Sequence, residues 1–482
     1  MSLDLNSYFK LGLDSTENPT NEAGLQNTIR TPTDTSSTNL NRITFKVPKI
    51  GMLTGDSHIN VQFTTNPDTI MADVSNITPN FVNGALGCVK RFRILVDNKV
   101  LTDMEFPSLL TNPENYAKFT QTQLADYHYY LLANQFVNVQ YPGQASGDTN
   151  VGTEIFSENE RYVIGPNGQS QHVLSYDKVG TPAESNVYAL PLRMLGAKFL
   201  ESNSLPVFLL NDREMIIEIT FHKDARQWLV KENGTLAAND GKVNLTKCEL
   251  VSTHIMLNDE LENNERQASF KNPVQYPLID NYLIKGVIGQ GGAVGTQASN
   301  IYRVHLNNRE LHSLLMVFHQ QEGNLTGQSR ITANQVSSSL GDEQLQIKSN
   351  GQNLFDRPIT NSGVFFQLLT YYNQGMALKC SFQGWQANQQ SLYIPNNLAF
   401  GGASERFRDY RGEFHYLGVD FRNGNMGVFG AGTQQRSNLE IDYINTPRTA
   451  TFPKQDEQRD LFFFVKVSKL LTLGGNVVNV SF

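Results

Sequence analysis

Apolar and polar residues alternate with a period of two along much of this chain, the pattern of strands that bury one face and wet the other. From Arg42 onward, Ile43, Phe45 and Val47 fall on one side of Thr44 and Lys46, and this predicts the first firm strand. Over residues 89–101 a hairpin is predicted, with Phe92, Ile94 and Val96 pointing one way, Asp97-Asn98 as the turn and Val100-Leu101 returning. Strand character returns at Val207–Phe221 and at Val243–Met256, whereas Pro107–Ala133 is the best helical candidate of the first half.

Between these elements the pattern lapses. Residues 1–40 are polar, with turn formers at Pro19-Thr20-Asn21 and from Thr31 to Thr38, so they read as an extended arm with little core. Within that arm Leu5, Tyr8 and Phe9 fall at i, i+3 and i+4, the spacing of one short amphipathic helix. Residues 137–187 shift to Gly, Gln, Ser, Asn and Asp and read as a long surface insertion. Residues 258–266 are charged and turn-rich without a β pattern and mark a domain boundary. The organisation expected is an arm at 1–40, a first domain at 41–257, a connector at 258–266 and a second domain at 267–482.

The second half repeats the first. Leu345 to Ser349, Asn350-Gly351 and Leu354 to Asp356 match the hairpin of Phe92 to Asp103 in register, Ile94 over Ile347, Leu101 over Leu354 and Asp103 over Asp356. A proline follows each, Pro107 and Pro358, and then an aromatic-rich segment with Tyr116 and Phe119 in one copy and Phe365, Phe366, Tyr371 and Tyr372 in the other. Arg213 to Ile217 and Arg459 to Phe463 lead into strands late in each half, and Cys248–Met256 and Val477–Phe482 close them. Two copies of one β architecture is the economical reading.

Composition supports it. A chain of 482 residues holds two domains of ordinary size, and only 18% of its residues are charged. The net charge of -7 offers no general attraction to phosphate backbones, so direct sequence-specific nucleic-acid binding is not expected. The arm is acidic too, with Lys10 and Arg30 against Asp4, Asp14, Glu17, Glu22 and Asp34. No basic start with a long apolar run opens the sequence, and no stretch of 18 apolar residues occurs further along, which points to a soluble protein made in a reducing compartment.

Candidate chemistry is sparse. Gly289 to Gly295 comes after an expected strand but lacks the Gly-Lys-Ser/Thr ending of a phosphate loop, and Gly427 to Gly432 reads as a turn likewise. His305, His312 and His319 sit seven apart, not at the spacing metal sites favour, and the run Leu314 to Phe318 reads as strand. Cys88, Cys248 and Cys380 lie far apart and read as buried free thiols. Asp342-Glu343 and the pair Glu158 and Glu160 read as solvated turn charges, and Asp126 to Tyr130 as a helix packed at a subunit contact. No catalytic, cofactor-binding or metal-ligating residue is assigned, and no cofactor.

Several motifs, in order, resemble the double jelly-roll major capsid proteins of icosahedral DNA viruses, a lineage spanning adenovirus hexon, virophages, Polinton-like viruses and the large nucleocytoplasmic DNA viruses. They are Ser204 to Ile219, the connector Leu257 to Arg266, Arg309 to Gln320, and the ending Leu470 to Phe482. The His-Pro that often opens the third of these is absent, and the short chain favours the virophage or Polinton-like end. The resemblance implies an all-β fold of two tandem eight-stranded antiparallel jelly rolls, with short helices and long loop insertions. It implies a homotrimer, pseudo-hexagonal in outline, that tiles a shell with neighbouring capsomers and with penton and minor capsid proteins. Residues 137–187 and about 386–445 would then be outer towers.

The acidic arm cannot condense a genome, so Leu5, Tyr8 and Phe9 are the candidate inner-face or subunit contacts, docking on a neighbouring subunit, a minor protein or an internal membrane. A tandem jelly-roll protein that binds or hydrolyses glycans is the alternative, separable by solution mass. A minor capsid or penton protein is a further one, which the repeat disfavours because such proteins normally carry one barrel.

Overall fold

A computed structural model gives the structure of residues 24–30, 42–65, 77–79, 85–118, 136–139, 152–155, 163–164, 170–171, 187–201, 204–223, 229–231, 243–288, 296–305, 311–320, 342–349, 351–371, 416–421, 438–446, 459–474 and 477–481. The first half places eight principal strands in two antiparallel sheets: β1 (Gly24–Arg30), β2 (Ile43–Lys46), β3 (His58–Thr65), β4 (Val89–Val96), β5 (Lys99–Glu105), β6 (Val187–Pro191), β7 (Met215–Phe221) and β8 (Val243–Met256). Their order is β1-β8-β3-β6 in one sheet and β2-β7-β4-β5 in the other, the jelly-roll arrangement.

The second half supplies β9 (Val274–Ile288), β10 (Ala298–His305), β11 (Leu311–Gln320), β12 (Asp342–Ser349), β13 (Gln352–Asn353), β14 (Tyr416–Asp420), β15 (Asn438–Thr446) and β16 (Arg459–Gly474). The sheets run β9-β16-β11-β14 and β10-β15-β12-β13, so each strand of the second half takes the place of the strand eight earlier. The chain is a double jelly roll.

Alternation drives this. In β4 the side chains of Phe92, Ile94 and Val96 are buried while Arg91, Arg93 and Leu95 are half-buried, so one face joins the core. Across β7, Met215, Ile217, Ile219 and Phe221 do the same, paired in register with β4 (Ile217 opposite Ile94, Ile219 opposite Phe92). The hairpin turn is left-handed at both central residues, Asp97 at φ 50° and Asn98 at φ 61°, as the right-handed strand twist of a two-residue turn requires. Gly351 fills the corresponding turn at φ 83°.

Three helices bear on how the two halves pack: α1 (Pro107–Lys118), α2 (Asp259–Lys271) and α3 (Asn361–Tyr371). The spacing that carries Val89–Val96 onto Asp342–Ser349 carries α1 onto residues 360–371, so α1 and α3 are the same element in two copies. Each lies between the fifth and sixth strands of its own jelly roll.

Several sequence expectations change. Within the arm of residues 1–40, Gly24–Arg30 forms β1, paired along its whole length with β8; Leu25 and Ile29 alone mark it, too few to read as a strand. Val207–Leu210 is a short 3-10 helix and the strand begins only at Met215, because an apolar run gives no period to tell the two apart. The boundary stretch becomes α2, capped by the Asn258 side chain accepting from the Glu260 N–H at 2.9 Å, with acids in its first turn and Lys271 in its last.

The match of Arg213 to Arg459 joined strands that are not equivalent, since β7 corresponds to β15 and β16 to β8. The ending Leu470 to Phe482 does form a hairpin, Val477–Ser481 returning on β16. Of the two expected towers, residues 137–187 carry small hairpins, Phe136–Val139 with Gly152–Ile155 and Val163–Ile164 with Ser170–Gln171. Within the range 386–445 the described residues include β14 and most of β15, strands of the second jelly roll and not a tower. The expected helix to Ala133 is described as far as Lys118.

Candidate functional site

The most heavily built polar feature among the described residues is the seam where the two jelly rolls meet. The first half contributes β5, the residue just after it, and α1; the second contributes β9, β16 and the end of α3. At its centre Lys469 of β16, 8% exposed, donates to the Leu101 carbonyl at 2.9 Å and pairs with the Asp280 carboxylate of β9, 1% exposed. Thr102 Oγ1 donates to the other Asp280 oxygen at 3.2 Å. Burial pushes the Asp280 carboxyl up from its ordinary range, while Lys469, the Asn281 N–H and Thr102 pull it back.

Phe106 follows β5 at φ 51°, a left-handed backbone that a bulky side chain rarely adopts. Its ring packs on Phe462 of the second half at 5.2 Å between centroids, and the Lys285 ammonium sits 5.1 Å over the same ring while pairing with Glu105. The same ring lies 5.7 Å from the His222 ring of its own half, so it is sandwiched into the seam from both sides. Lys99 at the hairpin tip reaches the Val478 carbonyl.

A second cluster joins α1 to α3. Glu114, 3% exposed, pairs with Lys198 at 2.8 Å and accepts from the Tyr371 hydroxyl at 3.3 Å. Burial pulls the Lys198 ammonium down, but Glu114 and Glu201 outweigh it and the net is a rise to about 12. Burial beside Glu114 pushes the Tyr371 phenol up, so it stays a donor. Arg266 of α2 donates to the Phe208 carbonyl at 3.1 Å, and Tyr276 donates to the Ser204 carbonyl, which ties the link and β9 to the first half.

These contacts hold buried charges that are each paired and hydrogen-bonded. Breaking one partner of such a pair costs far more than the pair contributes net, so the seam fixes one relative placement of the two halves. Chemically it is a lock. Sequence reasoning missed it, although a lysine and an aspartate inside the apolar runs Leu278-Ile279-Asp280 and Lys469-Leu470-Leu471 are a usable signal.

Each jelly roll also carries a charge ladder on one sheet. In the first, Glu218 of β7 joins Arg42 to Arg93 at 3.0 Å, and Asp103 takes Arg91 at 2.6 Å. In the second, Glu440 of β15 joins Arg303 at 3.4 Å to Lys348 at 3.2 Å, which also pairs with Asp442 at 2.5 Å. Most of these groups are solvated, and such pairs steer strand register more than they stabilise.

The residues singled out from sequence fall elsewhere. Leu5, Tyr8 and Phe9 lie outside the described residues, as do Gly289 to Gly295, Gly427 to Gly432, Asp126 to Tyr130, Glu158, Glu160 and Cys380. His305 stands on β10, and His312 and His319 on β11; His312 Nε2 meets Ser468 Oγ at 2.6 Å. Among the described residues no group of three His, Cys, Asp or Glu side chains is placed to hold a metal, and no helix is long and apolar enough to cross a membrane. Cys88 and Cys248 are buried free thiols, and burial raises both, Cys248 to about 12, with Glu249 adding to the rise at Cys248. Asp342 and Glu343 open β12 rather than a turn.

No protein-family model matches the chain, and no curated protein does. Solved structures do. The PBCV-1 protein VP54, a crystal structure fitted into a cryo-EM reconstruction of the virophage Sputnik, shares 12% identity over 96% of this chain and 97% of its own, with a TM-score of 0.55. The mavirus major capsid protein shares 11% over 94% and 90%, at 0.53, and the Faustovirus major capsid protein 12% over 96% and 92%, at 0.53. At these identities the likeness establishes the fold alone, a double jelly roll matched over 94–96% of the chain.

Proposed function

We propose that this chain is the major capsid protein of an icosahedral DNA virus, a building block that acts as a homotrimer. Two jelly rolls of one topology, locked by a buried seam, make a rigid two-module unit. Three such units around a threefold axis present six similar barrels, an outline that tiles a surface. The observation that carries the reading is the repeated strand order, joined to a likeness that spans nearly the whole chain and runs to major capsid proteins. The chain would reside in the virion after synthesis in the host cytoplasm or nucleus. There it would contact neighbouring capsomers and penton and minor capsid proteins, with no direct sequence-specific hold on the genome.

An obligate trimer of this kind buries roughly 2,000–5,000 Å² per interface. Light scattering on the purified chain should give three times the 54.0 kDa chain mass. A stable monomer that binds sugar would overturn the proposal.

Leu5, Tyr8 and Phe9 are assigned the inner face, docking under the trimer on a neighbouring subunit, a minor protein or an internal membrane. Deleting residues 2–13 should leave trimers intact and impair shell assembly; particles that form as well as those of the full chain refute that role.

A further inference from the structure

We infer that Glu265 makes the link between the two jelly rolls a proton-controlled clasp: helix α2 holds firmly to the first half while the Glu265 carboxyl is neutral, and opens more readily once it ionises. The device belongs to a single chain and does not need the trimer.

Helix α2 is acidic and polar, and the two residues it buries, Glu265 and Ser269, lie one turn apart on one face. The helix packs on the 3-10 helix Val207–Leu210 of the first half and on the end of β16. The fit is close: a Cβ on Gly474 would lie 2.5 Å from the Ser269 carbonyl oxygen. Arg266, next to Glu265, ties the helix to the Phe208 carbonyl. Whatever happens at Glu265 therefore acts on the contact that joins the connector to the first half.

Glu265 is 8% exposed, and its Oε2 has no hydrogen-bond partner among the described residues. Its surroundings carry no cation to pair with it. The 3-10 helix is four buried apolar residues, and flanking it Lys49 is bonded to the Asn211 carbonyl and Arg213 to Asp97, while Asp212 is exposed. The end of β16 from Leu470 to Gly474 has no ionisable side chain, and Lys469 is held by Asp280. Tyr276 of β9 gives its hydroxyl to the Ser204 carbonyl. On α2 itself Arg266 pairs with Glu262 at 2.6 Å, and Asp259, Glu260 and Lys271 are exposed near its ends. Glu265 also stands past the first turn, where a helix N-terminus would favour a carboxylate. An ionised carboxylate is costly in such a place and a neutral one is not. Burial accordingly raises this carboxyl above its ordinary 4.5. Docked α2 thus binds the proton more tightly than released α2, so the hold is complete below 4.5 and declines as pH rises through the raised value. Each unit of that rise changes the opening equilibrium about tenfold.

The test is amide hydrogen exchange of the full chain at pH about 5 and about 8, read as protection factors so that the chemical pH dependence of exchange drops out. Wild type is compared with Glu265→Gln, an uncharged copy of the protonated acid, and with Glu260→Gln, a control at an exposed acid of the same helix. Over residues 259–271 the protection of Glu265→Gln relative to wild type should rise about threefold or more from the lower pH to the higher. Glu260→Gln should keep one ratio to wild type at both. In wild type α2 should also be less protected than β4 and β7, because it opens without unfolding the barrel. A ratio for Glu265→Gln that does not change with pH overturns the inference, as does one that Glu260→Gln reproduces. Protection of α2 equal to that of β4 at both pH values overturns it too, since the helix would then open only with the whole fold. Should Glu265→Gln fail to fold, Glu265→Met, equally unable to ionise, takes its place with the same readings.

Discussion

The Tyr371 hydroxyl donates to the Glu114 carboxylate at 3.3 Å, joining the last residue of α3 to the middle of α1. These helices hold the same place in the two jelly rolls, so the bond links the two halves through topologically equivalent parts. The two helices differ at this spot, Glu114 in one and Gln367 at the counterpart position of the other.

Glu114→Ala strands the Lys198 ammonium in a dry site with only Glu201 beside it, and should lower stability by about 3–5 kcal/mol. Tyr371→Phe removes the hydrogen bond to an acid that Lys198 still satisfies and the one shared with Ser313, and should cost about 1–2 kcal/mol. Thermal melts of the two variants against wild type check the order, and equal losses would contradict it.

Alkaline pH should weaken the same cluster. The folded chain holds the Lys198 proton to about 12, against 10.5 for the free side chain, which corresponds to about 2 kcal/mol of stabilisation. Because the raised group is a base, that stabilisation is complete below 10.5 and disappears as pH rises through about 12. Urea unfolding of wild type and Lys198→Met should therefore converge over this window, and a gap that stays constant would show the ion pair is not its source.

At the seam centre, Lys469→Met and Asp280→Leu should each destabilise by about 3 kcal/mol or more, since each leaves a buried charge unpaired. The double variant should recover most of the loss, because an apolar pair of similar volume avoids desolvation altogether. A double-mutant cycle by thermal melts reads this directly.

Gly418 of β14 leaves no room for a side chain: a Cβ there would lie 2.8 Å from Tyr371 Cγ and 3.0 Å from Leu368 Cδ1. Gly418→Ala should push α3 off its sheet and cost about 1–3 kcal/mol. Gly351→Ala meets nothing within 4 Å and bears only the strain of φ 83°, so it should cost about 1 kcal/mol. Differential scanning calorimetry of the two variants separates crowding from backbone strain.

Strands whose two faces differ were legible in the sequence, and that covers β2, β4, β5 and β8. So was the Asp97-Asn98 turn, whose residues tolerate left-handed backbone. What escaped had no such contrast. β1 carries two apolar residues in seven, and α2 is charged all round, held by its cap and its packing rather than by an apolar stripe. The seam escaped for a different reason: Asp280 and Lys469 are far apart in sequence, and only the fold brings them together under Leu101. The hairpin repeat was visible because both turns use residues that tolerate left-handed backbone, whereas β7 and β15 share a place in the sheet and little else.

The central claim is that this chain forms a threefold ring of six jelly rolls. Electron microscopy of the purified full-length chain tests it most directly. Class averages of a particle with three chains, hexagonal in outline and resolving into six barrels, are the predicted result; single two-lobed particles, or rings of any other chain number, would contradict it.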